Sequence, residues 1–160
     1  MMGDTHTARR VYVATSWHNR GQPPVVAALR DLGHLVYDFR RPRPADAGFH
    51  WSDVDPDHAG WTLRHYAATV RADSRCQKGF AVDRAALDWC DTCLLLLPCG
   101  RSAHLEAGYA KGQGKRLLIW LDDREFRPEL MYLFADAFVF DIAEAAAALA
   151  APAEAWRARR

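Results

Sequence analysis

The sequence predicts an α/β fold: a doubly wound parallel sheet of five strands with helices on both faces. Three observations predict it. Short β-rich runs alternate with helical periodicities at close spacing, the pattern of strands joined by helical crossovers. The segment Thr92 to Pro98 is centred on four consecutive leucines, Leu94 to Leu97, as in a strand covered on both faces. And 160 residues, half of them hydrophobic and 26% charged, suit one compact domain spanning 1–160 with its own core.

The elements follow in order. Met1 to Arg10 are expected to be a flexible start. Val11-Tyr12-Val13-Ala14 is a β-rich run that halts at the polar stretch Thr15 to Gln22, which reads as a first strand giving way to a loop. Val25, Val26, Leu29 and Leu32 fall at helical spacing, Pro23 and Pro24 suit a first turn, and Gly33 suits the position just past the helix end. Leu35 to Phe39 reads as the second strand and Thr92 to Pro98 as the third, followed by Arg116 to Leu121 and Ala137 to Phe140. Helical patterns occupy Phe80 to Trp89, Ala103 to Gln113, Pro128 to Phe134 and Ile142 to Arg159. The last is alanine-rich, and Arg157, Arg159 and Arg160 at its end complement a helix dipole. Arg40 to Ala59, with three prolines and the aromatic group Phe49-His50-Trp51, is too long for an idle connection, and its aromatics favour a functional loop.

Charge and cysteine content exclude several classes of function. Twenty-one Lys and Arg balance twenty Asp and Glu, so the net charge is +1 and no global basic field holds a nucleic acid. The longest purely apolar run is far too short to span a bilayer, and the first ten residues lack the apolar stretch of a secretory signal. A cytoplasmic protein without membrane partners is expected. Four cysteines, Cys76, Cys90, Cys93 and Cys99, are too few for a disulfide scaffold and suit free thiols.

In an open parallel sheet, ligands bind in the crevice beyond the carboxyl ends of the strands. Thr15, Ser16, Trp17, His18 and Asn19 follow the first strand; Cys99, Gly100, Arg101 and Ser102 follow the third and lead into a helix. Ser102 is a natural N-cap, which either simply caps that helix or, with Arg101 and the free amides of Ala103 to Leu105, helps hold an anion. Glu106 lies one residue too late for a capping box, a carboxylate in apolar company one turn into a helix aimed at the crevice. Idle complement of the helix dipole and service as nucleophile or base are equally open readings. Asp83 lies among Phe80, Val82 and Leu87, and on spacing alone is an exposed helix-face aspartate; Asp91 reads as a turn residue. Cys90-x-x-Cys93 with Cys99 and His104 invites a zinc reading, disfavoured because Cys93 starts a buried strand and the four would not readily converge. His50, His58 and His65 match no zincin spacing. No metal and no cofactor are expected.

Three stretches resemble the nucleoside 2-deoxyribosyltransferase family and its nucleotide N-glycoside hydrolase relatives: Tyr12-Val-Ala-Thr-Ser-Trp17, the Asp83-to-Asp91 spacing ahead of the leucine-rich strand, and Gly100-Arg-Ser-Ala-His-Leu-Glu106-Ala-Gly-Tyr-Ala110. The resemblance spans about residues 11–121 and implies a flavodoxin-like sheet. It further implies that Glu106 is a nucleophile, that Asp83 holds or tunes it, and that Tyr12 hydrogen-bonds near it. Ser16, Trp17, His50, Trp51, Gly100, Arg101 and Ser102 would then contact a nucleoside or nucleotide, with Trp17, His50 and Trp51 placed to stack on the base. Transfer to a second base makes such an enzyme a transferase, attack by water a hydrolase. Classical transferases carry an aspartate six residues before the nucleophile where this chain has Gly100, which tilts the expectation toward a phosphorylated or otherwise anionic substrate. The fold and glutamate also look like those of TIR-type domains, which would make NAD the substrate; a noncatalytic nucleotide-binding domain is the third reading. Relatives of this kind assemble into homodimers or larger oligomers, and the same is expected here.

Overall fold

β1, Arg10–Ala14, places Val11 and Val13 on one side of a sheet and Tyr12 and Ala14 on the other, all four without measurable exposure, because residues of a strand alternate between faces. In the computed structural model, which describes residues 7–121, 127–152 and 155, the chain divides into two compact units, Met1–Tyr37 with Trp89–Arg160, and Asp38–Asp88.

The first unit holds the whole sheet. β2 (Leu35–Tyr37), β3 (Thr92–Leu96), β4 (Arg116–Trp120) and β5 (Ala137–Val139) join β1 in the order β2-β1-β3-β4-β5, every neighbouring pair parallel. This is the flavodoxin-type order, whose reversal falls between β1 and β3. β1 begins one residue earlier than expected, so Arg10 belongs to the sheet and not to a flexible start. It pairs with Leu35, and its amide donates to Asp91 Oδ2 at 3.0 Å.

Helices cover both faces. α1 (Gln22–Asp31) sends Val25, Val26 and Leu29 onto the face carrying Val11, Val13, Leu94, Leu96, Leu118 and Trp120, where α6 (Ile142–Ala150) adds Ala145 and Leu149. α5 (Arg101–Gly112) lies on the opposite face, its small buried residues Ala103, Ala107 and Ala110 letting it settle on β3, β4 and β1. The expected end of α1 is met. Gly33 takes φ +86°, and the amide of His34 reaches back to the Leu29 carbonyl, the left-handed closure that favours glycine.

α6 departs from expectation. It ends at Ala150, and of the residues expected to extend it to Arg159, 153, 154 and 156–159 lie outside those described, as does Arg160. Pro152 disfavours helical conformation in the residue before it, which closes the helix. The cations at its carboxyl end come from far away in sequence. Arg116, 2% exposed at the start of β4, donates to the carbonyls of Ala148, Leu149 and Ala151; Arg9 donates to Leu149 and Ala151 at 3.0 and 3.2 Å. Burial, together with the Arg9 charge, lowers the Arg116 pKa. The Pro128 to Phe134 pattern also resolves differently, as a 3-10 turn over Leu130–Phe134.

All four cysteines are free thiols, and three are buried. Burial pushes Cys90 up to about 11 and Cys93 well above the usual thiol range. An acid whose pKa is raised by folding ionises first in the unfolded chain, so the stability it contributes below pH 9 drains away between about 9 and 11. The melting temperature of the wild type should therefore fall more steeply from pH 8.5 to 10.5 than that of Cys90→Ala. Parallel slopes would show that Cys90 is not shielded from water.

The second unit contains α2 (Trp51–Val54), a 3-10 turn at His58–Gly60, α3 (Leu63–Ala72) and most of α4 (Ser74–Trp89). α4 begins six residues before the expected Phe80. Asp73 lies just ahead of it and accepts from the Arg75 amide, Nε and Nη2; the Arg75 hydrogen bond holds its carboxyl at about 2. The aromatics of the long segment pack on one another. Trp51 meets Phe49, Trp61 and Tyr66 with centroids 5.0, 5.9 and 5.9 Å away, and Trp61 Nε1 donates to Asp55 at 2.5 Å. Gly79 faces Phe49 so closely that a Cβ there would come within 2.9 Å of the ring, which lets α4 lie against this segment.

Candidate functional site

The crevice of the first unit is set by the divergence of the chain after β1 and β3. A buried polar network holds these two exits together. Thr15 Oγ1 donates to the Leu96 carbonyl at 2.7 Å; Asn19 Nδ2 reaches Thr15 Oγ1 at 2.9 Å and the Pro98 carbonyl at 3.2 Å; Asn19 Oδ1 accepts from the Gly21 amide at 2.8 Å. The carbonyls that follow a strand end need donors, and Thr15 and Asn19, 9% and 6% exposed, supply them. The sequence reading places Thr15 and Asn19 only after the first strand; the structure gives them this bridging role. A threonine just past a buried strand with an asparagine four residues on is the signal for it.

The segment so anchored delivers α5. Ser102 is not its N-cap. Gly100 occupies that position with extended backbone and no side-chain cap, and the helix begins at Arg101. The reason is local: the chain stays extended through Gly100, and the Gly100 carbonyl sits 2.9 Å from His104 Nδ1. The first-turn amides are consequently those of Arg101, Ser102 and Ala103, with the exposed side chains of Arg101 and Ser102 beside them.

Glu106 is half-buried on α5, one residue before Ala107, which packs on the sheet. It is near enough to the sheet for its charge, after burial and Cys90, to raise the pKa of the Cys93 thiol. Cys93 is paired in register with Tyr12. Tyr12 and Cys93 face the α5 side of the sheet, so Tyr12 and Glu106 belong to the same face of one unit. Tyr12 is fully buried and stacked on Tyr37, centroids 5.2 Å apart and planes 19° from parallel. At the β1 exit, Ser16 Oγ accepts from the His18 amide at 3.1 Å and Trp17 is 38% exposed. Asp91 lies at the other end of the strands, where it binds the Arg10 amide and the Thr92 hydroxyl.

Asp83, His50 and Trp51 belong to the second unit. Asp83 is half-buried on α4 and contributes to a pocket of about 200 Å³ with Phe39, Phe49, Lys78 and Val82, so the exposed helix-face reading does not hold. His50 Nε2 lies 3.2 Å from the Ala47 carbonyl, and the Trp51 ring is engaged by its aromatic neighbours. Among the described residues no group of three or more His, Cys, Asp or Glu is arranged to hold a metal ion. Cys99 and His104 do meet, Sγ to Nδ1 3.6 Å, whereas Cys93 lies within β3.

No protein-family model matches the sequence, and no curated protein sequence matches it. Among solved structures, a 2-deoxyribosyltransferase of the psychrotolerant bacterium Bacillus psychrosaccharolyticus is similar at 17% identity and a TM-score of 0.58, over 87% of this chain and 94% of that one. The similarity, with the strand order, establishes the fold of this chain as α/β with a flavodoxin-like, all-parallel five-stranded sheet.

Proposed function

We propose that this protein is an enzyme that cleaves or transfers the N-glycosidic bond of a nucleoside or nucleotide, with Glu106 as nucleophile. The observation that carries the reading is a half-buried carboxylate about one and a half turns into the helix that leaves β3, beside the switch point of a flavodoxin-like sheet. An N-glycosidic bond breaks through an oxocarbenium-like state, which a carboxylate stabilises electrostatically and can trap at the anomeric carbon. Tyr12 is assigned to orient that carboxylate, and Asp83, by the sequence resemblance, to tune it. Ser16 and Trp17 on the β1 exit are proposed substrate contacts, as are His50 and Trp51 by the same sequence resemblance.

Gly100 caps α5 without a side chain, leaving first-turn amides and Arg101 to meet an anion, which favours a nucleoside monophosphate over the free nucleoside. The test is a chromatographic screen for released base over nucleosides, mononucleotides and NAD, with Glu106→Ala as control. Base release from a mononucleotide, lost in the variant, supports the reading. Nicotinamide release from NAD alone would transfer it to TIR-like chemistry, and retained ligand binding without any turnover in the wild type would make the domain a noncatalytic binder.

We also infer a homodimer or larger assembly, supported by large apolar side chains left on the surface, among them Leu63, Phe80 and Phe140 at 87, 66 and 57% exposure. Light scattering at micromolar concentration should give at least twice the chain mass of 18.0 kDa; a monomer would contradict the inference.

A further inference from the structure

A cavity of about 700 Å³ opens on the side of α5 that carries His104 and Gly108. At 100° per residue, His104 and Glu106 point about 160° apart around the helix, so the cavity lies on the opposite flank of α5 from Glu106, although Gly100 and Arg101, proposed above as anion contacts, also line it. Its floor is Leu117 and Ile119 and its wall Met131 and Phe134; Cys99, His104 and Tyr132 also line it. It is otherwise largely apolar, with Arg101 and Glu129 its charged residues.

The three polar residues form a chain of contacts. His104 Nδ1 lies 2.9 Å from the Gly100 carbonyl oxygen and 3.6 Å from Cys99 Sγ, and Nε2 lies 3.0 Å from the Tyr132 hydroxyl. The two rings stack, centroids 5.8 Å apart and planes 14° from parallel. A carbonyl oxygen only accepts, so Nδ1 carries the proton and Nε2 accepts from Tyr132. The same Nδ1 lies near the sulfur, so the positive end of its N–H dipole, held by the Gly100 carbonyl, stands beside Cys99. The uncapped first-turn amides of α5 begin two residues further on. Both stabilise negative charge on sulfur. Cys99 is the one cysteine of the four that is not buried.

We propose that Cys99, assisted by His104, is a nucleophilic thiol that forms a mixed disulfide with low-molecular-weight aromatic disulfides, whose apolar half the α5 cavity receives. The Cys99 thiolate attacks one sulfur of the reagent and forms a new Sγ–S bond as the old S–S bond breaks. The other half departs as a thiolate and takes up the proton that Cys99 released, so Cys99 is oxidised and the departing sulfur reduced. Met131 and Phe134 supply apolar contact for the retained ring.

The test is the reaction of the native chain at pH 6 with 2,2′-dithiodipyridine, followed through the released thiopyridone, with peptide mass mapping of the adduct. One thiol per chain should react in a fast phase at least about fivefold faster than free cysteine, map to Cys99 and vanish in Cys99→Ser. His104→Gln, checked for an unchanged circular dichroism spectrum, should bring the rate to within about twofold of free cysteine. Reaction with hydroxyethyl disulfide, a polar reagent, should show a smaller advantage over free cysteine. A fast phase that survives Cys99→Ser, a rate no greater than that of free cysteine, or no change in His104→Gln would overturn the thiol assignment. Equal advantages for the two disulfides would remove the cavity from it.

Discussion

On the proposed glycosyl chemistry, Glu106→Gln should lower turnover of a mononucleotide or nucleoside by about a thousandfold or more while leaving KM within a few-fold of the wild type. Glutamine preserves the shape and half-buried packing of the side chain on α5 but removes the negative charge. The missing interaction matters most when positive charge builds on the sugar ring, hence in the transition state and not in the ground state. A KM-dominated loss would instead make Glu106 a binding group. Trapping at the anomeric carbon adds a second signature: rapid quench of the wild type should yield a glycosyl adduct on the peptide carrying Glu106, absent from the variant. Glu106→Ala leaves space for a small anion, so added azide or formate should restore part of the turnover. An added free base that accepts the sugar distinguishes transfer from hydrolysis. Turnover unchanged in both variants would end the glycosyl reading.

Asp136→Ala should destabilise the protein by about 3–5 kcal/mol, the cost of leaving one member of a buried ion pair alone. For a chain of this length that corresponds to a fall in Tm on the order of 10 °C. Asp136 Oδ1 lies 2.6 Å from Lys111 Nζ near the end of α5, and the two side chains are only 4 and 15% exposed. Its Oδ2 accepts from the Leu117 amide at 2.8 Å, while its own amide donates to the Leu117 carbonyl. One side chain thus ties α5, β4 and the approach to β5 together. The double variant Lys111→Met, Asp136→Ala should regain much of the loss, because no charge is then left in the interior. A single-variant cost below about 1 kcal/mol would mean that water reaches the pair and it behaves as a surface ion pair.

Legibility in the sequence tracked how local the determining interaction is. α1 was readable at both ends because Pro23 and Pro24 fix its first turn and Gly33 its left-handed exit, each through its own backbone. The leucine run marked β3 because a strand buried on both faces needs no alternation. The cap of α5 lies two residues before the expected Ser102: serine has the favoured chemistry, but the place where the extended chain turns into helix is decided by how Pro98 and Gly100 leave the sheet. α6 ends at Ala150, where Pro152 disfavours a further turn and Arg9 and Arg116, distant in sequence, take up the last carbonyls. The loop reading of Arg40 to Ala59 gives no sign of α2 or of the packing of Trp51 on Phe49, Trp61 and Tyr66, since edge-on ring contacts have no sequence period.

The sequence alone determined the alternation of strands and helices, the apolar faces that bury the sheet, and the presence of a carboxylate six residues after Gly100. Those features depend on periods of two and 3.6 residues and on side chains acting on their own backbone. The tertiary structure decided what stands beside that carboxylate's helix. It set Thr15 and Asn19 against the carbonyls of Leu96 and Pro98, Asp136 against Lys111, and Tyr132 against His104. These partners are all 25 or more residues apart, and only the parallel sheet, by fixing which strand lies next to which, brings them within hydrogen-bond distance.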